Sequence, residues 1–147
     1  MRILAVASGG GHWVQLLRTA PALEGHDVVY VTTHANHRRD VPGRCVHVVN
    51  DATRWNRWGS FVLALRIAWI LLRERPDAVF STGAAPGCLA ILFGRLLGAR
   101  TVWLDSIANS DAVSLSGRLV RRHCDLWLTQ WPHLAAPGGP EYAGRVF

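Results

Sequence analysis

Apolar runs of strand character alternate with helical segments from one end of this chain to the other, and no other feature constrains its fold as much. Short apolar runs bounded by turn residues suit buried parallel strands, and the helices between them supply the crossovers that parallel pairing requires. Strands are expected at Arg2–Val6, Asp27–Thr32, Val46–Val49, Ala78–Ser81, Thr101–Leu104 and Leu126–Thr129. Helices are expected at Trp13–Leu23, Trp58–Arg73, Cys88–Leu97 and Ser114–Arg122, with Pro76 closing the second and Gly98 capping the third. The fold class is therefore α/β: a Rossmann-like open parallel sheet with helices on both faces. No repeat or linker interrupts the pattern, so residues 1–147 are expected to form a single domain. The Pro- and Gly-bearing tail from Pro132 to Gly144 is expected to wrap the surface.

Open parallel sheets bind ligands beyond the C-terminal ends of their strands. Here those ends carry Ser8–His12, Thr32–Asn36, Ser81–Pro86 and Asp105–Asn109, which are expected to converge on one crevice. The first loop, Ala7-Ser8-Gly9-Gly10-Gly11-His12, joins the first strand to the first helix. Three glycines there allow a tight turn and close approach of a ligand to the backbone. The helix behind them presents free N–H groups and partial positive charge, which suits a phosphate or diphosphate. The pattern is not a P-loop, since no Gly-Lys-Ser/Thr follows, nor a full G-x-G-x-x-G, because position 14 is Val. Ser8, Gly9, Gly10, Gly11, Thr82, Gly83, Ser106 and Asn109 are the expected substrate-binding residues. His12 and Asp105 are the candidate catalytic groups: His12 as hydrogen-bond donor to a phosphate or as general base, Asp105 as base, hydroxyl acceptor or cap of its own loop. His34 and His37 lack a third ligand at convincing spacing and read as a solvated loop, so no metal and no cofactor are expected.

The chain carries 16 basic residues, all Arg, against 10 acidic ones, for a net charge of +6. That balance favours anionic partners. Nucleic acid is disfavoured among them, because the Arg residues are dispersed and the Trp residues lie on apolar elements. Cys45, Cys88 and Cys124 are odd in number and lack the spacing of a zinc site, which suits reduced thiols in the cytoplasm. No signal peptide and no membrane-spanning helix is expected.

From Trp58 to Leu72 the second helix has Arg66 as its only charge. Trp55, Val62, Arg66, Trp69 and Arg73 fall on one stripe at helical spacing. Trp and Arg on an apolar helix suit a membrane interface, and Trp55, Trp58, Arg66, Trp69 and Arg73 are the expected contacts with an anionic surface. Packing of the same face on a partner protein is the alternative.

Several motifs, in order, give the chain a resemblance to a known family. They are Ser8-Gly9-Gly10-Gly11-His12 with Gln15-Leu16-Leu17, Ser81-Thr82-Gly83-Ala84, Gly98-Ala99, and Asp105-Ser106-Ile107-Ala108-Asn109. Ser114-Leu115-Ser116-Gly117-Arg118-Leu119 and Thr129-Gln130-Trp131 complete the set. The chain resembles the Alg14/PssD family of polysaccharide and N-glycan biosynthesis proteins over nearly its whole length; Asp105 stands where that family is expected to have Glu. The resemblance implies the N-terminal, acceptor-side half of a GT-B glycosyltransferase. It further implies a separate Alg13/PssE-like donor-binding subunit, a polyprenyl-diphosphate-linked sugar as acceptor, and a nucleotide sugar reached through the partner. The implied location is cytoplasmic, peripheral at the inner face of the plasma membrane. A non-catalytic binding or scaffold protein for a phosphorylated ligand is the second reading.

Overall fold

The computed structural model describes residues 1–147. Seven strands form one parallel sheet: β1 (Arg2–Val6), β2 (Asp27–Thr32), β3 (Val46–Val48), β4 (Ala78–Ser81), β5 (Arg100–Leu104), β6 (Leu126–Thr129) and β7 (Glu141–Tyr142). Their order is β3-β2-β1-β4-β5-β6-β7, and every neighbouring pair is parallel. The chain winds outward from β1 in one direction as far as β3, then returns to β1's other side with β4. The switch point therefore lies between β1 and β4, where an open sheet leaves a crevice.

Alternation along β1 divides the core. Leu4 and Val6 join Val29, Val31, Val79 and Trp103 against α2 (Arg57–Glu74), α3 (Ala84–Leu96) and α4 (Leu115–Val120). Ile3, Ala5 and Ala7 join Val28, Tyr30, Ala78, Phe80 and Leu104 on the opposite face, which α1 (Gly11–Thr19) covers with Trp13 and Leu16. The expectation of a parallel sheet with helices on both faces is met. On the α1 face, an apolar trough of about 490 Å³ lies over Ile3, Ala78, Phe80, Val102 and Leu104. It is roofed in part by residues 143–146 and does not reach the glycine loop.

Several boundaries differ from expectation for local reasons. The α-helical part of α1 stops at Thr19, and Ala20–Leu23, which contains Pro21, continues as a 3₁₀ turn. Helix α3 begins at Ala84 rather than Cys88, because Pro86 sits in a first turn where its missing N–H costs nothing. Gly98, at φ +83°, ends that helix in the left-handed conformation, as expected. Ser114 caps α4 by accepting the Gly117 N–H at 2.9 Å, and a 3₁₀ turn, Arg121–His123, extends it. The tail is not wholly irregular: Glu141–Tyr142 adds an unexpected seventh strand beside β6.

Helix α2 buries Leu63, Ile67, Ile70 and Leu71. Its outer face exposes Trp58, Phe61, Leu65, Trp69 and Leu72 at three- and four-residue spacing. Arg66, Trp69 and Arg73 of the expected stripe are exposed beside them, and Val62 is half-buried. Asn56 caps the helix by accepting the Gly59 N–H at 2.9 Å, so Trp55 precedes it and escapes the helical period. No helix is long and apolar enough to cross a membrane.

Candidate active site

The loops after β1 and β4 meet at the switch point, and His12 joins them. Its Nδ1 lies 2.9 Å from the Thr82 carbonyl, while the Thr82 hydroxyl donates back to the His12 carbonyl at 2.7 Å. A carbonyl can only accept, so Nδ1 carries a proton there and Nε2 is the ring nitrogen left free to act. Nε2 has no protein partner and is not sealed from solvent. The contact holds the imidazole in one orientation, as a general base would need. Gly83 belongs to the same contact, since a Cβ there would stand 2.5 Å from Nδ1.

The three loop glycines serve different ends. A Cβ on Gly9 would run into the His34 ring. Gly10, the N-cap of α1, adopts φ +62°, a region L side chains disfavour. A Cβ on Gly11 would meet no atom within 4 Å. Neither α1 nor α3 has a side-chain cap, so both helices present first-turn N–H groups at the strand ends flanking the switch point. Two adjacent helix N-termini with open backbone between them suit an anion. Ser8 is half-buried at the rim, and its hydroxyl reaches only the Gly9 carbonyl at 3.5 Å.

Asp105 is 2% exposed and both its carboxylate oxygens are occupied. One accepts the Ser106 N–H at 3.1 Å and the Asn109 side-chain amide at 3.0 Å; the other accepts the Ser114 N–H at 2.8 Å. In this state it organises the loop after β5 and does not present a free carboxylate. The Ser106 hydroxyl is likewise engaged, accepting from Gln15 Nε2 at 3.0 Å and from the Ala108 N–H at 3.2 Å.

Two residues unassigned from sequence hold this loop against α1. Gln15 Oε1 accepts the Ile107 N–H at 3.0 Å and Gln130 Nε2 at 2.5 Å. Gln130 also donates to the Asp105 carbonyl at 3.0 Å and accepts the Val146 N–H at 3.1 Å. Both glutamines are essentially buried. A buried, fully engaged pair of this kind fixes geometry, and the sequence signal for it was a polar residue inside each of two shared motifs.

On the opposite flank, His37 stacks on Trp13 with centroids 4.5 Å apart, and its Nδ1 lies 2.6 Å from the Thr32 hydroxyl. Burial, reinforced by the neighbouring His34, pushes the His37 pKa below the ordinary imidazole value. Trp13 is itself tied to Asp40 at 2.8 Å. The Thr33–Arg44 loop, expected to be solvated, therefore braces α1, while His34 stands exposed against Gly9.

Trp55 and Trp58 are 92% and 73% exposed. Arg66 and Arg73 are exposed beside Trp69, with the Arg73 guanidinium 5.2 Å from the Trp69 ring. Because β3 runs parallel to β1, α2 starts at the same end of the sheet as the glycine loop.

The fold matches the crystal structure of Acinetobacter baumannii MurG with a TM-score of 0.78 at 15% identity. It also matches UDP-GlcNAc 2-epimerase from Methanocaldococcus jannaschii with a TM-score of 0.69 at 14% identity. The chain is covered over 96% and 88% of its length, but it spans only 45% and 39% of those proteins. The class so defined is a Rossmann-like parallel sheet with the fold of somewhat under half of each of those proteins. Residues 44–146 match the family described as oligosaccharide biosynthesis protein Alg14 like, and the chain belongs to that family. Among curated relatives, the UDP-N-acetylglucosamine transferase subunit ALG14 of Mus musculus is 25% identical, over 99% of this chain and 83% of the mouse protein. The Homo sapiens protein of the same name is also 25% identical, with the same two coverages.

Proposed function

We propose that this chain is the acceptor-binding, membrane-recruiting subunit of a two-chain glycosyltransferase. It acts with an Alg13/PssE-like donor-binding subunit. That enzyme passes a sugar from a nucleotide-sugar donor to a polyprenyl-diphosphate-linked sugar in polysaccharide biosynthesis. The names of the curated relatives favour UDP-N-acetylglucosamine as donor. The observation that carries the reading is the 2.9 Å contact of His12 Nδ1 with the Thr82 carbonyl, beside two uncapped helix N-termini.

The acceptor diphosphate lies over Gly9–Gly11, held by the first-turn N–H groups of α1 and α3. That placement brings the sugar hydroxyl to His12. Nε2 takes the hydroxyl proton as the oxygen attacks the donor's anomeric carbon, and the nucleoside diphosphate departs on the partner's side. Thr82 holds the imidazole, and the imidazolium formed keeps its Nδ1–H bond to the Thr82 carbonyl. Asp105 acts through position, by keeping the β5 loop beside α1. Trp55 and Trp58, at the crevice end of the sheet, enter the headgroup layer, and Trp69 with Arg66 and Arg73 extends the contact to lipid phosphates along α2.

The paired variants His12→Asn and His12→Gln test the base. An Asn amide can still donate to the Thr82 carbonyl but offers no basic nitrogen. With the co-purified partner, His12→Asn is expected to lower turnover by roughly 10²- to 10⁴-fold while partner binding is unchanged. His12→Gln, which also loses the Thr82 tether, is expected to be no better. Loss of less than about tenfold in both, against the effect size expected of such a base, would move the base to the partner chain.

A further inference from the structure

Away from the crevice, the one cysteine at the surface meets two other metal-ligating groups. Cys45 and His47 are two residues apart at the start of the edge strand β3, so their side chains share one face. Glu74 reaches them from the last turn of α2. Cys45 Sγ lies 3.8 Å from His47 Nε2, which lies 2.8 Å from a Glu74 carboxylate oxygen. The three ligand atoms all fall within 4.8 Å of one another. His47 and Glu74 are 18% and 11% exposed at the side chain, while Cys45 opens to solvent.

We propose that Cys45, His47 and Glu74 form a binding site for a thiophilic divalent cation, Zn²⁺ foremost, with the fourth position left to water. A thiolate, an imidazole and a carboxylate are ligands Zn²⁺ takes in tetrahedral sites. Bond lengths of about 2.0–2.3 Å place such ligand atoms roughly 3.3–3.7 Å apart around the ion. The observed separations of 3.8 and 2.8 Å bracket that range, so a small swing of the Glu74 carboxylate admits the ion. On binding, the ion takes lone pairs from Sγ, Nε2 and the carboxylate. The thiol proton leaves to solvent, and the His47 ring proton resides on Nδ1.

A hydrogen-bonded strut between β3 and α2 would account for His47 and Glu74, but not for the thiol aimed at them. Two arginines also approach Glu74, Arg2 at 3.6 Å and Arg73 at 3.8 Å. Neither competes at close range, because Arg2 is held by Asp27 at 2.8 Å and Arg73 is largely exposed. The site lies on the edge strand, with β2 between it and β1, so the ion clamps that strand to α2 and leaves the crevice free. Sequence spacing hid it, because Glu74 is 27 residues from His47.

The other thiols do not interfere with a test. Burial pushes the Cys88 thiol up, and burial with Asp125 nearby pushes Cys124 up to about 12. Titration of the purified full chain with Co²⁺ is expected to give a sulfur-to-cobalt charge-transfer band that saturates at one equivalent. Zn²⁺ should bleach that band, shield one thiol from a thiol-specific reagent and raise the melting temperature. Cys45→Ser, a change at an exposed position, should keep the fold but lose the band and the Zn²⁺-induced rise in melting temperature. Glu74→Gln should weaken Co²⁺ binding by at least about tenfold, the lower end of what even an outer partner of a ligand contributes. Absence of a saturating band in the wild type overturns the site. So does binding that survives Cys45→Ser unchanged, or that is unaffected by both His47→Gln and Glu74→Gln.

Discussion

Substitution of Gly11 by Val separates ligand binding from folding. Gly11 opens α1 with unexceptional φ, and a Cβ there meets no protein atom within 4 Å. Val is a slightly better helix former than Gly, so the stability change should stay within about 0.5 kcal/mol. Its neighbours lack this property: Gly9 would press a side chain into His34, and Gly10 at φ +62° would incur roughly 1–2 kcal/mol of left-handed strain. The open space over Gly11 is where the diphosphate is placed, and the Val methyls would fill it. Losing one charge-assisted N–H contact costs about 1.5–3 kcal/mol, or roughly 10- to 150-fold in Kd. The assay is calorimetric titration with a short-chain polyprenyl-diphosphate sugar, paired with thermal melts of the same samples. Unchanged Kd with an unchanged melt would refute the placement of the diphosphate on this loop.

Other expectations follow from the same contacts. Replacing Arg66 and Arg73 by Glu should release the chain from anionic vesicles in co-sedimentation, since each Arg near such a surface contributes about 1 kcal/mol. Raised salt should do the same to the wild type, whereas Trp69→Ala should weaken binding with less salt dependence. Gln15→Leu should strand one N–H of the Gln130 amide and the Ile107 N–H; at about 1–3 kcal/mol for a buried group so left, the melting temperature should fall by roughly 2–12 °C. His37 has its pKa lowered in the folded chain, so as pH falls from about 6.5 the unfolded state takes up a proton first and stability drops. Melting temperature followed downward from that pH should decline more steeply for wild type than for His37→Gln, and parallel curves would contradict this.

Much of the fold was legible because parallel strands are continuous apolar runs bounded by turns. The limits of β2, β4 and β6 follow directly from Asp27–Thr32, Ala78–Ser81 and Leu126–Thr129. Strand β7 was not, since two residues carry no period and Glu141–Tyr142 pairs only because the tail is laid beside β6. The glycine loop declared itself by composition, whereas the bond that orients His12 joins residues 70 apart and leaves no local trace. Asp105 was visible as a carboxylate at a strand end, but its engagement by Asn109 and Ser114 depends on how its loop closes. On α2 the Arg66, Trp69 and Arg73 stripe was legible from helical spacing, whereas the cap at Asn56, which leaves Trp55 outside the helix, was not.

The most direct test of the central claim is a side-by-side measurement of acceptor binding and sugar transfer by this chain, its donor-side partner, and the two together. The predicted result is that this chain alone binds the polyprenyl-diphosphate sugar, and that transfer from UDP-N-acetylglucosamine requires both chains. Acceptor binding by the partner alone, or full transfer by this chain without it, would contradict the assignment.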